Sequence, residues 1–195
     1  MKLARPRIMR AAAVMQRQLD AADIPNCISG SLALNAHWPF REAGDVDFAV
    51  RGTLDELEAL LVEHSEQYRK IVHRPIDGGY QFSRRCNWTK VPVEFFRSSR
   101  YESHEDEVMR RAVTVQTDYG PLRVMSAEDV LTMKLWWFRD QQRPKDSVDI
   151  ATMLTRAGDI DLDQVRKVAA EQGTTEILED HETKNAAVLG AANHA

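Results

Sequence analysis

The stretch from Ile28 to Val50, ISGSLALNAHWPFREAGDVDFAV, most constrains what this chain can fold into. Gly30-Ser31 closes a short apolar run, and thirteen residues later Asp45-Val46-Asp47 leads into Phe48-Ala49-Val50. Gly-Ser after an apolar run predicts a strand-to-helix turn, whose backbone N–H groups and Ser hydroxyl can hold phosphate oxygens. The second half predicts a strand. Side chains at i and i+2 share one side of a strand, so Asp45 and Asp47 project together while Val46 and Phe48 face the core. Two adjacent carboxylates repel unless a cation lies between them, and Mg²⁺ prefers oxygen ligands with phosphate completing its shell. The stretch therefore predicts a phosphate cradle facing a divalent-metal site.

Composition narrows the setting. With 195 residues, 43% hydrophobic and 29% charged, the chain suits one globular domain, or one domain with a small helical annex. No apolar run approaches the roughly 20 residues that span a bilayer, so no membrane segment is expected. Arg5, Arg7, Arg10 and Arg17 interrupt the N-terminal stretch, which suits an amphipathic first helix better than a targeting peptide. A cytoplasmic location is the default expectation. Cys27 and Cys86 are the only cysteines and make no disulfide framework. Cys27 suits a buried strand, and a zinc pair of Cys86 with His73 lacks the usual ligand spacing. A net charge of −4 and a pI near 5.9 give no global basic footprint. The local clusters at Arg84-Arg85-Lys90, Arg97-Arg100, Arg110-Arg111 and Arg139-Arg143-Lys145 suit solvated faces. They leave an RNA substrate open without arguing for it.

Along the chain, Ile8, Ala12, Met15 and Leu19 repeat at helical spacing over about Arg5 to Ala22. A strand from Cys27 to Ser29 and a short helix from Ser31 to His37 precede the Asp45 strand. Thr53-Leu54-Asp55-Glu56 reads as a capping box opening a helix to about Glu66. Extended segments are expected at Tyr68 to His73, at Tyr80 to Arg84 after an Asp77-Gly78-Gly79 turn, and at Val91 to Phe96. Ser103 to Arg111 suits a short helix or loop, and Val113 to Thr117 with Leu122 to Val124 a late hairpin. Helices follow at Ala127 to Asp140, from Lys145, and at Leu162 to Gln172. There are no internal repeats.

Three residues stand out from a generic α/β pattern. Glu94 is the single carboxylate in the apolar run Val91 to Phe96 and alternates with Val93 and Phe95. A solvated Glu on a half-exposed strand explains it alone; beside an Asp-x-Asp strand it becomes a candidate third carboxylate. Lys134 has Val130, Leu131, Trp137 and Phe138 at its helical neighbour positions. It either snorkels its ammonium to water or meets an anion. Asp146 shares a stripe with Ile150, Met153 and Ala157, so it faces an interior or a cleft. Asp149 is accounted for by the helix dipole.

In this order the motifs resemble those of the DNA polymerase β-like nucleotidyltransferases, and Arg41 fits the basic residue common shortly before the carboxylates. The later SAEDVLTMKLWWFRDQQRPKDSVDIATML is similar to the lysine helix and Lys-Asp-x-x-Asp-Ile segment of the AbiEii-type branch. That branch includes toxins of toxin–antitoxin and abortive-infection systems. The resemblance covers about Ile28 to Leu154 and implies an α/β (α+β) fold, a mixed sheet flanked by helices. Residues 1–125 would form the nucleotidyltransferase core. Residues 126–173 would be a helical part completing the cleft, and 174–195 a weak helix or flexible tail. It implies that Gly30 and Ser31 hold the phosphates, with Arg41, Lys134 and Lys145 also binding nucleotide. Asp45 and Asp47, with Glu94 as third carboxylate, would ligate Mg²⁺, as two ions. Lys134 and Asp146 would complete the catalytic set. The implied reaction moves a nucleoside monophosphate from an NTP to a hydroxyl and releases pyrophosphate. The acceptor placed first is an RNA (tRNA) 3′ end. A small antibiotic-like molecule, a protein hydroxyl, or a binding module without turnover are the alternatives. An antitoxin protein is the partner such a toxin implies.

Overall fold

The computed structural model describes residues 5–38, 41–64, 68–76, 79–86, 90–98 and 102–192. The expected turn at Asp77-Gly78 lies outside them, as do the side chains of His73, Arg84, Arg85, Cys86 and Arg100. The chain divides into two compact units, Met1–Ser126 and Ala127–Ala195.

The first unit runs α1 (Pro6–Ala21), β1 (Asn26–Ser29), α2 (Gly30–His37), β2 (Val46–Val50), α3 (Leu54–Glu63) and β3 (Tyr68–Ile76). It continues through β4 (Gly79–Cys86), β5 (Pro92–Ser98), α4 (Glu102–Arg111), β6 (Val113–Thr117) and β7 (Gly120–Val124). The strands form one seven-stranded mixed sheet in the order β3-β4-β5-β2-β1-β7-β6. Strand β2 lies antiparallel to β1 and parallel to β5, while β1 is parallel to β7. The segment that suited either a helix or a loop is the helix α4.

Alternation on β2 and β5 sorts the central strands into two faces. Val46, Phe48, Val93 and Phe95 are fully buried, and the Phe48 and Phe95 rings stack 5.9 Å apart. Asp47 and Glu94 therefore project to the opposite face. The helical stripe of α1 is buried as its spacing requires, with Ile8, Ala12, Met15 and Leu19 all in the core. Gln16, also buried, ties the first helix to the sheet. Its amide donates to Asn26 Oδ1 and to the Arg123 carbonyl, each at 3.2 Å, and accepts the Arg123 N–H at 2.9 Å. Helix α3 begins with the expected capping box. Thr53 Oγ1 accepts the Glu56 N–H at 3.2 Å, and the Glu56 carboxylate accepts the Thr53 N–H at 2.6 Å. The Thr53 N–H, and the Thr53 hydroxyl that also donates to the carboxylate at 2.9 Å, hold the Glu56 carboxyl below its ordinary pKa.

The second unit holds α5 (Ala127–Gln141), α6 (Pro144–Leu154), α7 (Leu162–Gln172) and α8 (Thr175–Ala192). Pro144 opens α6 at a position where its missing N–H costs nothing. Asp161 caps α7 by accepting the Asp163 and Gln164 N–H groups at 3.1 Å, and Gly173 ends it at φ 67°. Among the described residues, no helix is long and apolar enough to cross a membrane.

His181 on α8 is buried edge-on against Phe138 of α5, with ring centroids 5.6 Å apart. Burial pushes its pKa below the ordinary 6.5, against a raising effect of Asp180 and with a lowering effect of Lys184. The unfolded chain then binds the imidazole proton more readily than the folded one. Stability is thus full above about pH 6.5 and declines as pH falls below it. Urea midpoints taken from pH 7.5 down to 5 should fall less steeply in His181→Gln than in the parent. An equal slope in the two proteins would assign the decline to other groups.

Candidate active site

The turn between β1 and α2 is built around Gly30. Its φ of +60° is a backbone conformation that L side chains rarely adopt. A Cβ placed on Gly30 would fall 1.9 Å from Asp47 Oδ2, so the Asp47 carboxylate rests directly against the turn. Only glycine satisfies both conditions. Gly30→Ala should cost about 1–2 kcal/mol through its backbone alone and also displace the Asp47 carboxylate. Urea unfolding and nucleotide turnover read the two effects separately, and wild-type turnover in Gly30→Ala would show that the contact is not needed.

Register places three polar groups in one row. Ser29 is the cross-strand partner of Asp47 between β1 and β2, and Asp47 is the partner of Glu94 between β2 and β5. Cross-strand partners share a face, so Ser29, Asp47 and Glu94 lie side by side on the face opposite the Phe48–Phe95 core. Ser29 is completely buried and Ser31 nearly so, while Asp47, Glu94 and Asp45 are half-exposed. Asp45 sits just before β2, at the end of the loop from α2. Asn35 closes that loop, donating to the Arg41 carbonyl at 2.6 Å and accepting the Arg41 N–H at 3.3 Å. His37 Nε2 contacts the Met125 carbonyl at 2.8 Å, and the Met125 N–H bonds the Ile28 carbonyl at 2.7 Å. Together these bonds fix α2 against the ends of β1 and β7.

The donor set suits a hard cation. Among the described residues no three His, Cys, Asp or Glu side chains already stand together as a metal cage. Mg²⁺ does not require one, because it keeps waters and is completed by one or two carboxylates with substrate phosphates. Asp47, with Asp45 two residues before it, has the chemistry to serve as such a carboxylate, and Glu94 is its partner in register.

In the second unit, Lys134 and Asp146 meet. Lys134 Nζ lies 2.9 Å from Asp146 Oδ1 and 2.7 Å from Asp149 Oδ2, with both aspartates fully buried. Arg143 Nε donates to Asp146 Oδ2, and its guanidinium lies 5.4 Å from the centre of the Trp137 ring. Two cations and two anions balance, which is how a buried ionic cluster is tolerated. Lys145 is not part of this cluster; its side chain is exposed. Of the basic group Arg139-Arg143-Lys145, two members are engaged, since Arg139 bonds Asp140 and the Gln172 carbonyl.

Sequence reasoning missed Asp149, Arg143, Asn35 and Ser29. Asp149 could have been found from its i, i+3 spacing to Asp146, which puts both acids near one helix face toward a buried lysine. Arg143 has the same i, i+3 spacing to Asp146, whereas Asn35 and Ser29 carry no comparable signal.

The fold is that of the nucleotidyltransferases. An antigenic nucleotidyltransferase-like protein from Paracoccidioides brasiliensis matches at a TM-score of 0.55 and 17% identity, covering 93% of this chain and 94% of its own. A putative nucleotidyltransferase from Thermotoga maritima matches at 0.55 and 17%, covering 71% of this chain and 89% of its own. The antibiotic-resistance factor ANT(2'')-Ia matches at 0.53 and 15%, covering 96% and 97%. Among curated proteins, none matches. The model of the AbiEii nucleotidyl transferase toxin family, of type IV toxin–antitoxin systems, matches residues 27–192. The chain belongs to that family and is a nucleotidyltransferase.

Proposed function

We propose that this enzyme transfers a nucleoside monophosphate from an NTP to the 3′ hydroxyl of an RNA, tRNA being the first candidate. The observation that carries the chemistry is the row formed by Asp47 and Glu94 beside the Gly30 turn. In this reading the N–H groups at the start of α2 and the Ser31 hydroxyl bind phosphate oxygens, assisted by Arg41. Asp45 and Asp47 would hold Mg²⁺, which when bound neutralises charge gathering on the phosphate oxygens. Glu94 accepts the proton of the acceptor hydroxyl as its oxygen bonds the α-phosphorus and the bond to the β-phosphate oxygen breaks. Pyrophosphate leaves. Lys134 donates to Asp146 at 2.9 Å and forms an ion pair with Asp149 at 2.7 Å; in this reading its remaining N–H capacity serves the triphosphate, with Lys145 as a further cationic contact.

RNA is placed first as acceptor on the motif resemblance, and the family's toxin–antitoxin character supports an antitoxin partner. The likeness to ANT(2'')-Ia keeps a small hydroxylated molecule as the second reading. Incubation with four α-labelled NTPs, Mg²⁺ and total RNA decides between them. Label in RNA is the expected result, and label in no polymer while pyrophosphate is released with an aminoglycoside would overturn it.

A further inference from the structure

We propose that the Ser29 hydroxyl donates a hydrogen bond to a phosphate oxygen of the bound NTP. The inference rests on the NTP reading above and adds a residue to that site. Ser29 Oγ is buried, in a residue with no exposed surface, and has no hydrogen-bond partner. Burying an unsatisfied hydroxyl is unfavourable, and native proteins seldom keep one without a use for it.

Its place in the chain says what that use is. Ser29 is the N-cap of α2, where a Ser side chain ordinarily accepts an N–H of the first helical turn. Here it makes no such bond, so the hydroxyl is not satisfied by capping. The hydroxyl lies on the sheet face of Asp47, and the intervening Gly30 has no side chain to separate them. A ligand that accepts from a hydroxyl and from helix N-terminal N–H groups, beside carboxylates suited to a cation, must carry anionic oxygens. A nucleotide phosphate meets that description.

Ser29→Ala and Ser29→Gly in the full chain test this, since the extended backbone of Ser29 accepts both residues. Thermal midpoints without nucleotide should equal or exceed the parent's, because an unsatisfied buried group is removed. Titration with each of the four NTPs at saturating Mg²⁺ should show affinity lower by about tenfold or more, the usual worth of a hydrogen bond to a charged group. The loss should fall on KM for the NTP more than on kcat. NTP affinity equal to the parent's in both variants would overturn the inference, as would a change confined to the Mg²⁺ requirement. If the parent itself bound no NTP, the nucleotide reading would fail, and this inference with it.

Discussion

Asp47→Asn should leave a folded protein whose turnover is lower by at least about a thousandfold, equivalent to roughly 4 kcal/mol of transition-state stabilisation. The substitution keeps the shape of the side chain and removes its charge. An amide oxygen is a weaker ligand for Mg²⁺ and cannot offset the charge of a triphosphate–metal pair. The fold should tolerate the change, because Asp47 neighbours Glu94 in register and is half-exposed. Removing one of two adjacent carboxylate charges relieves repulsion in the nucleotide-free protein. Asp45→Asn should behave alike. The measurement pairs steady-state turnover with a urea midpoint. Undiminished turnover in Asp47→Asn would remove Asp47 from the metal site.

The contrast with Glu94 is informative. Both lie in one row, and the three atoms nearest a Cβ on Gly30 all belong to Asp47. That contact was not legible in the sequence. The Gly-Ser and Asp-x-Asp pairs announced a turn and a strand, and alternation gave the faces correctly for Val46, Phe48, Val93 and Phe95. What alternation cannot give is strand order. Seven strands admit many orders, and it is the parallel pairing of β2 with β5 that sets Glu94 beside Asp47. Helix bounds were legible where caps were, as at Thr53 and Pro144. They were weaker past Gly173, where the Ala- and Asn-rich composition suggested only a weak helix and α8 runs from Thr175 to Ala192.

Polar burial was the least legible feature, for a physical reason. The sequence suggests that the helix dipole accounts for Asp149, but α6 opens at Pro144 and only Asp146 lies in its first turn, so the dipole does little for Asp149. Its burial depends on Lys134, fifteen residues earlier, and on how α5 meets α6. Ser29 and Asn35 are of the same kind. A buried Ser or Asn has the composition of a loop residue, and only its partners, or their absence, distinguish it.

Lys134→Met should destabilise the protein by about 3–5 kcal/mol, because it removes the charge that neutralises two fully buried aspartates. Arg143 would still face Asp146, so the carboxylate that loses its ion pair with Lys134 outright is Asp149. Against a total stability of roughly 5–15 kcal/mol, this is a large fraction of the whole. The double substitution Lys134→Met with Asp149→Leu should be more stable than Lys134→Met alone, since the buried negative charge is removed together with the lysine that faced it. Urea midpoints of the parent, both single variants and the double close the cycle. A cost below about 1 kcal/mol for Lys134→Met would mean the cluster is not held by ionic pairing. The same double variant also separates structure from chemistry at Lys134. Recovered stability with turnover still absent would assign the lysine's remaining N–H to the triphosphate, and recovery of both would make Lys134 a structural cation only.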